Sequence, residues 1–164
     1  MLAHYQSLRD LTDLQLLPAI RAISPKLLSQ VRLFELIADR DQLLPLGHGI
    51  YIISSPAAYS RNHALAEHEF LYVGECKSRN FAERISSHLA FGERGILATF
   101  RKKIIATGLF NDSNEALCFI GQCGLRLIDF GSYQTLDNEC SRFERKLQVL
   151  LASHLNSVRG RRRG

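Results

Sequence analysis

Two short runs, "GIYII" at 49–53 and "FLYVG" at 70–74, limit the folds open to this chain more than any other stretch. Each is built from β-branched, aromatic and leucine residues, at the length and composition of a buried strand. Gly49 stands two residues before Tyr51, and Tyr72 stands two residues before Gly74, so the runs are nearly mirror images. A strand that only fills a core needs neither the phenol nor the glycine at a fixed offset. Taken singly, each pair reads as a turn or bulge glycine beside a core aromatic. The repetition calls for a second reading.

The flanking sequence changes to helical spacing. Residues 1–46 are expected to form a helical N-terminal extension. An apolar stripe runs from Leu8 to Ile23, and a second helix has Ser24 as N-cap, Pro25 at its first position, and Leu27, Val31, Phe34 and Ala38 on one face. The polar stretch 54–70 is expected to be a long loop. "NFAERISSHL" opens a helix in which Asn80 and Glu83 have capping-box spacing. "ERGILATFRKKIIAT" is another helix, stopped by Gly108, while "ALCFI" and "LRLIDFG" read as strands. "DNECSRFERKLQVLLASHL" is a long amphipathic helix with Phe143, Leu147, Leu150 and Leu151 on one stripe. The whole reads as mixed α and β around a small sheet.

Composition narrows the function classes. With 164 residues, 46% apolar and 23% charged, the chain has globular composition and room for one compact domain with a small appendage. No apolar run approaches the roughly 20 residues of a membrane span. The N-terminal "MLAHYQSLRDLTDLQLLPAI" carries acids within its apolar stretch, unlike a secretory signal. A cytoplasmic protein without a membrane partner is the expectation. Cys76, Cys118, Cys123 and Cys140 contain no Cys-x-x-Cys pair, which argues against a zinc knuckle or a disulfide framework. The net charge of +5 is concentrated in "FRKK" at 100–103 and "RGRRRG" at 159–164. Such clusters suit a polyanion, nucleic acid before an anionic membrane. Arg101, Lys102, Arg161 and Arg162 are the candidate phosphate contacts.

Three further features bear on the mirrored runs. Arg84 and His88 stand four apart, on one helical face. Glu144 interrupts the apolar side of the last helix, where an uncompensated carboxylate is costly. Asn156 falls where that helix is expected to end. In this order the elements resemble the GIY-YIG nuclease family. Gly49-Ile50-Tyr51 matches the first signature, and Tyr72-Val73-Gly74 matches the second with valine for isoleucine. "FAERISSHL" is similar to the helix bearing the family's arginine, at Arg84, with His88 at the histidine of many members. "FERKLQVLLASHLN" is similar to its C-terminal helix, with Glu144 at the metal-ligand glutamate and Asn156 at the closing asparagine. The resemblance spans about 47–157, leaving a basic tail at 158–164. It departs from the pattern in an enlarged 54–70 connection and a slightly long stretch from Gly74 to Arg84.

The resemblance implies an α+β fold with a small, mostly antiparallel central sheet flanked by helices. It implies a DNA endonuclease using one Mg²⁺ or Mn²⁺ held by Glu144. Tyr51 is then the candidate base for water, Tyr72 and His88 orient or polarise it, and Arg84 grips the phosphate with a planar fork. Gly49, Gly74 and Asn156 fall among the substrate-contacting positions, the glycines because they permit close approach. Residue by residue, plainer roles compete: core tyrosines, a solvated helix glutamate, a surface histidine, a disordered arginine tail. His48, His63, His68 and His154 read as structural or loop residues. Two other functions stand beside the enzyme: a nucleic-acid-binding module on the same scaffold without turnover, and an unrelated α+β interaction domain.

Overall fold

The two β-branched runs lie in the middle and at one edge of a five-stranded sheet, because buried strands of this kind need neighbours on both faces. The computed structural model describes residues 2–31, 49–56, 64–76, 99–131 and 138–156. In chain order the described elements are β1 (Leu2–His4), α1 (Tyr5–Leu8), α2 (Asp13–Ala22), β2 (Lys26–Leu27), β3 (Gly49–Ser54), β4 (Phe70–Cys76), α3 (Thr99–Ala106), α4 (Ser113–Gln122), β5 (Gly124–Asp129) and α5 (Glu139–Leu150). Single 3-10 turns occupy Leu28–Gln30 and Ala64–Glu67.

The sheet runs β1-β5-β3-β4, and β2 also pairs with β5. β1 is parallel to β5 and the remaining pairings are antiparallel, so the sheet is mixed. Between β3 and β4 the register slips by one: Ile53 faces Tyr72, but Ser54 faces Phe70. Leu71 is the extra residue, a bulge that puts it in the same core cluster as Tyr72.

Helices cover both faces. On one, Tyr51, Ile53, Tyr72 and Leu127 pack under Phe100 and Ile104 of α3 and Leu117, Phe119 and Ile120 of α4. On the other, Ile50, Ile52, Val73 and Ile128 meet Leu16 and Ile20 of α2 and Cys140, Phe143 and Leu147 of α5. Each such side chain, fully buried, contributes roughly 1.5–3 kcal/mol relative to exposure. The protein is α+β, a mixed sheet flanked by helices.

Three local expectations differ. The "ALCFI" stretch lies in α4 and is helical, not a strand. Asp112 accepts the Glu115 N–H at 2.8 Å, and Glu115 Oε2 accepts the Asn111 N–H at 2.8 Å. These contacts cap a helix whose buried residues Ala116, Leu117, Phe119 and Ile120 recur at three and four. The helix expected from Pro25 is replaced, within the described residues, by β2 and a 3-10 turn. Lys26 and Leu27 pair with Leu125 and Gly124, and the Leu28 N–H donates to Cys123 O at 2.9 Å. The long-range pairing outweighs the local helix signal.

Residues 2–31 are also more than a helical extension, since they lend β1 and β2 to the sheet. The Tyr5 ring stacks on Phe130 at 4.0 Å, and its hydroxyl donates to Glu139. At the C-terminus of α2, the buried Arg126 donates from Nε to Ile23 O at 2.7 Å and from a terminal nitrogen to Ser54 Oγ at 3.2 Å. Burial lowers its pKa from the ordinary arginine value, and the charge of Glu69 opposes that shift.

Candidate active site

The mirrored runs owe their pattern to strand register. Antiparallel pairing sets Tyr51 directly opposite Gly74 on β4 and opposite Leu127 on β5. The Tyr51 ring lies over Gly74: a Cβ placed there would stand 2.2 Å from both Cζ and Oη of Tyr51. The close approach that Gly74 permits is therefore that of the Tyr51 phenol. One pair further along, Tyr72 faces Ile53, and the two phenol rings have centroids 6.0 Å apart at 31°. Tyr51 is 0% exposed and Tyr72 6%. Gly49 pairs with Cys76 on one side and Asp129 on the other.

α3 closes this face through Phe100, whose ring lies 5.6 Å from that of Tyr72. Of its three consecutive bases, Arg101 is half-buried and Lys102 exposed. The third, Lys103, holds its ammonium 5.5 Å from the Tyr72 ring centroid and donates to Leu155 O. Lys103 belongs to the basic run "FRKK" but not to the candidate phosphate contacts Arg101 and Lys102. Its spacing from Phe100 and its place beside Ile104 were the available signal, since residues three apart share a helical face.

β4 is an edge strand, and α5 with the chain after it runs along that edge. Ser141 donates to Glu75, at 2.9 Å to the nearer carboxylate oxygen, and Gln148 Nε2 donates to Val73 O at 3.4 Å. Glu144 lies on the same stripe between them, half-buried, so helical geometry sets it alongside the Val73–Glu75 stretch. Glu75, the residue directly after the second signature glycine, is a further carboxylate at this edge that is absent from the sequence-derived candidates. α5 ends at Leu150, short of the expected end at Asn156, and Ala152 turns the chain at φ 47°. A strap then follows the β4 edge: the His154 N–H donates to Phe70 O at 3.2 Å and the Leu155 N–H to Leu71 O at 2.9 Å.

Asn156 completes the strap as a surrogate for a neighbouring strand. Its Oδ1 accepts the Val73 N–H at 2.7 Å, its Nδ2 donates to Val73 O at 3.1 Å, and Ser153 Oγ donates to Oδ1 at 2.7 Å. The amide expected to contact substrate is thus engaged on the backbone beside Gly74. Asn156→Ala removes the acceptor of the Val73 N–H together with one donor to Val73 O, leaving that carbonyl to Gln148 alone. A buried group left unsatisfied costs about 1–3 kcal/mol. The expected outcome is a lower urea midpoint together with faster amide hydrogen exchange at Val73. Unchanged exchange there would show that the side chain does not hold the strand.

His68 and His154, read from the sequence as structural, do pair: their rings stack at 3.9 Å and 9°. Burial first, and then His68, lowers the His154 pKa from the ordinary histidine value. Arg84, His88, Arg161 and Arg162 lie outside the described residues, as does the expected helix from Asn80. Among the described residues, no group of three or more His, Cys, Asp and Glu side chains is placed to hold a metal, and no helix is long and apolar enough to cross a membrane. Compared with known proteins, the chain matches no family model, no curated protein and no solved structure.

Proposed function

We propose that this protein is a metal-dependent endonuclease of the GIY-YIG type acting on DNA. The observation that carries this reading is the Tyr51–Gly74 register, which brings both signature runs to one place with Tyr72 beside them and the Glu144 helix along the same strand edge. The identity and order of Arg84, His88, Glu144 and Asn156 in the sequence support it.

In this mechanism Tyr51, ionised to its phenolate, takes a proton from the attacking water as the new P–O bond forms, and the leaving oxygen departs with the bonding pair and takes a proton from solvent. Tyr72 and His88 orient the water, and Arg84 binds the non-bridging oxygens, where charge accumulates. A single half-buried carboxylate at Glu144 fits a cation that keeps water in most of its shell, as Mg²⁺ and Mn²⁺ do, and would hold it. When bound, the ion supplies Lewis acidity to the phosphate. The Tyr51 hydroxyl lies over Gly74, a residue with no side chain on the edge strand.

The full burial of Tyr51 favours a second reading, in which the phenols are core residues of a nucleic-acid-binding module without turnover. Nicking of supercoiled plasmid with and without Mg²⁺ separates the two. The wild-type protein is expected to nick only with the metal. Tyr51→Phe, which removes one oxygen and keeps the ring over Gly74, is expected to cut about 10²–10⁴-fold more slowly at unchanged DNA affinity. Salt-dependent binding without nicking supports the binding module. If neither occurs, both readings fall and the unrelated domain stands.

A further inference from the structure

We propose that Lys103 is a positioning residue for Tyr72: a fixed cation against the phenol that also fastens the C-terminal strap to α3. Its effect on cleavage rests on the endonuclease reading; its effect on Tyr72 and the strap does not. The three bases at 101–103 look interchangeable in sequence, but their places differ. Lys102 is exposed, as a solvated helix cation normally is. Lys103 is half-buried, with its ammonium 5.5 Å from the Tyr72 ring centroid and bonded to Leu155 O.

A lysine charge carries a desolvation cost when withdrawn from water, and two features of this place offset it. The face of an aromatic ring attracts a cation, more strongly where water is partly excluded. A carbonyl oxygen accepts a charge-assisted bond of about twice the usual strength. The carbonyl belongs to Leu155, whose own N–H is bonded to Leu71 O and whose neighbour Asn156 holds Val73. Lys103 therefore joins α3, the strap and Tyr72 in one connected set of contacts. With Phe100 on the ring as well, it limits the Tyr72 side chain and puts a positive charge beside the phenol pair.

Three variants separate the charge from the hydrogen bond. Lys103→Arg keeps both a cation and a donor, Lys103→Gln keeps a donor without charge, and Lys103→Met keeps the apolar stem alone. In the full chain, tyrosine carbon NMR follows the ionisation of Tyr72, and amide exchange follows Leu155. Removing the cation is expected to move Tyr72 ionisation to higher pH in the Gln and Met variants and not in Arg. Leu155 exchange is expected to quicken most in Met. In the nicking assay, Gln and Met are expected to lose about tenfold in turnover at saturating DNA, with DNA affinity held within about twofold and Arg close to wild type.

Tyr72 ionisation that is the same in all four proteins would overturn the inference. So would Leu155 exchange that ignores the Met substitution. A loss of DNA affinity with turnover intact would overturn it too, making Lys103 a phosphate contact of the ordinary kind. If even the wild-type protein fails to nick, the endonuclease reading fails, and the two NMR measurements still decide the role of Lys103.

Discussion

Gly74→Ala is expected to disturb the core and the candidate site together, although it adds a single methyl group. That carbon would stand 2.2 Å from Cζ and Oη of Tyr51 and 2.7 Å from Cε1, far inside the roughly 3.5 Å at which carbon atoms rest against each other. The ring has little room to yield: Tyr51 is 0% exposed, between Leu127 on β5 and Gly74 on β4. Relief requires an off-rotamer tyrosine or a spread between β3 and β4, at the overpacking cost of about 1–3 kcal/mol or more. In a chain of this size each kcal/mol lowers the melting temperature by roughly 2–4 °C.

A double-mutant cycle with Tyr51→Leu isolates the contact. The short side chain leaves Gly74 uncovered, so the added methyl group should cost much less in that background. Residues in contact show coupling of about 0.5–3 kcal/mol, and this pair belongs in the upper part of that range. Urea unfolding measures it without reference to catalysis. If Gly74→Ala costs the same with either residue at 51, the ring does not lie over the glycine and the proposed site loses its centre.

Glu144→Gln is expected to abolish cleavage while leaving the fold and DNA affinity close to wild type. The side chain is half-buried on α5, and the amide has nearly the same shape, so stability should change by no more than about 0.5 kcal/mol. An amide is a poor ligand for a hard divalent cation. Loss of the ion removes several kcal/mol of charge stabilisation, or about 10³-fold or more in rate. Single-turnover nicking against Mg²⁺ concentration, with binding measured in parallel, checks both halves. Normal metal-dependent cleavage by the variant would reject the assignment. The search would then move to Glu75 on β4, held by Ser141, which stands one helical turn before Glu144. Glu139 and Glu115 would be poorer candidates, because one accepts the Tyr5 hydroxyl and the other caps α4.

Much of the scaffold was legible residue by residue. β3 begins and ends within "GIYIIS" and β4 grows out of "FLYVG", as the runs of β-branched and aromatic residues indicate. The α5 stripe is buried at Phe143 and Leu147, as its spacing indicates. The two misread stretches differ in cause. "ALCFI" is an apolar run too short for periodicity to separate strand from helix, and the cap contacts of Asp112 and Glu115 decide it. "SPKLL" carries a good helix start, but the end of β5 that β1 does not cover takes Lys26 and Leu27 into the sheet.

The same division holds for the site. Taken alone, the sequence determined that two strands each carry a phenol and a glycine, and that a glutamate interrupts the final amphipathic helix. These are local properties, fixed by side-chain type and by periods of two and 3.6 residues. Only the tertiary structure decided that Gly74 receives the Tyr51 ring, that Lys103 and not Lys102 meets Tyr72, and that Asn156 turns to the backbone of Val73. Each depends on which residues a strand register sets opposite one another and which backbone groups an edge strand leaves to be bonded. Those partners are distant along the chain, so no local pattern specifies them.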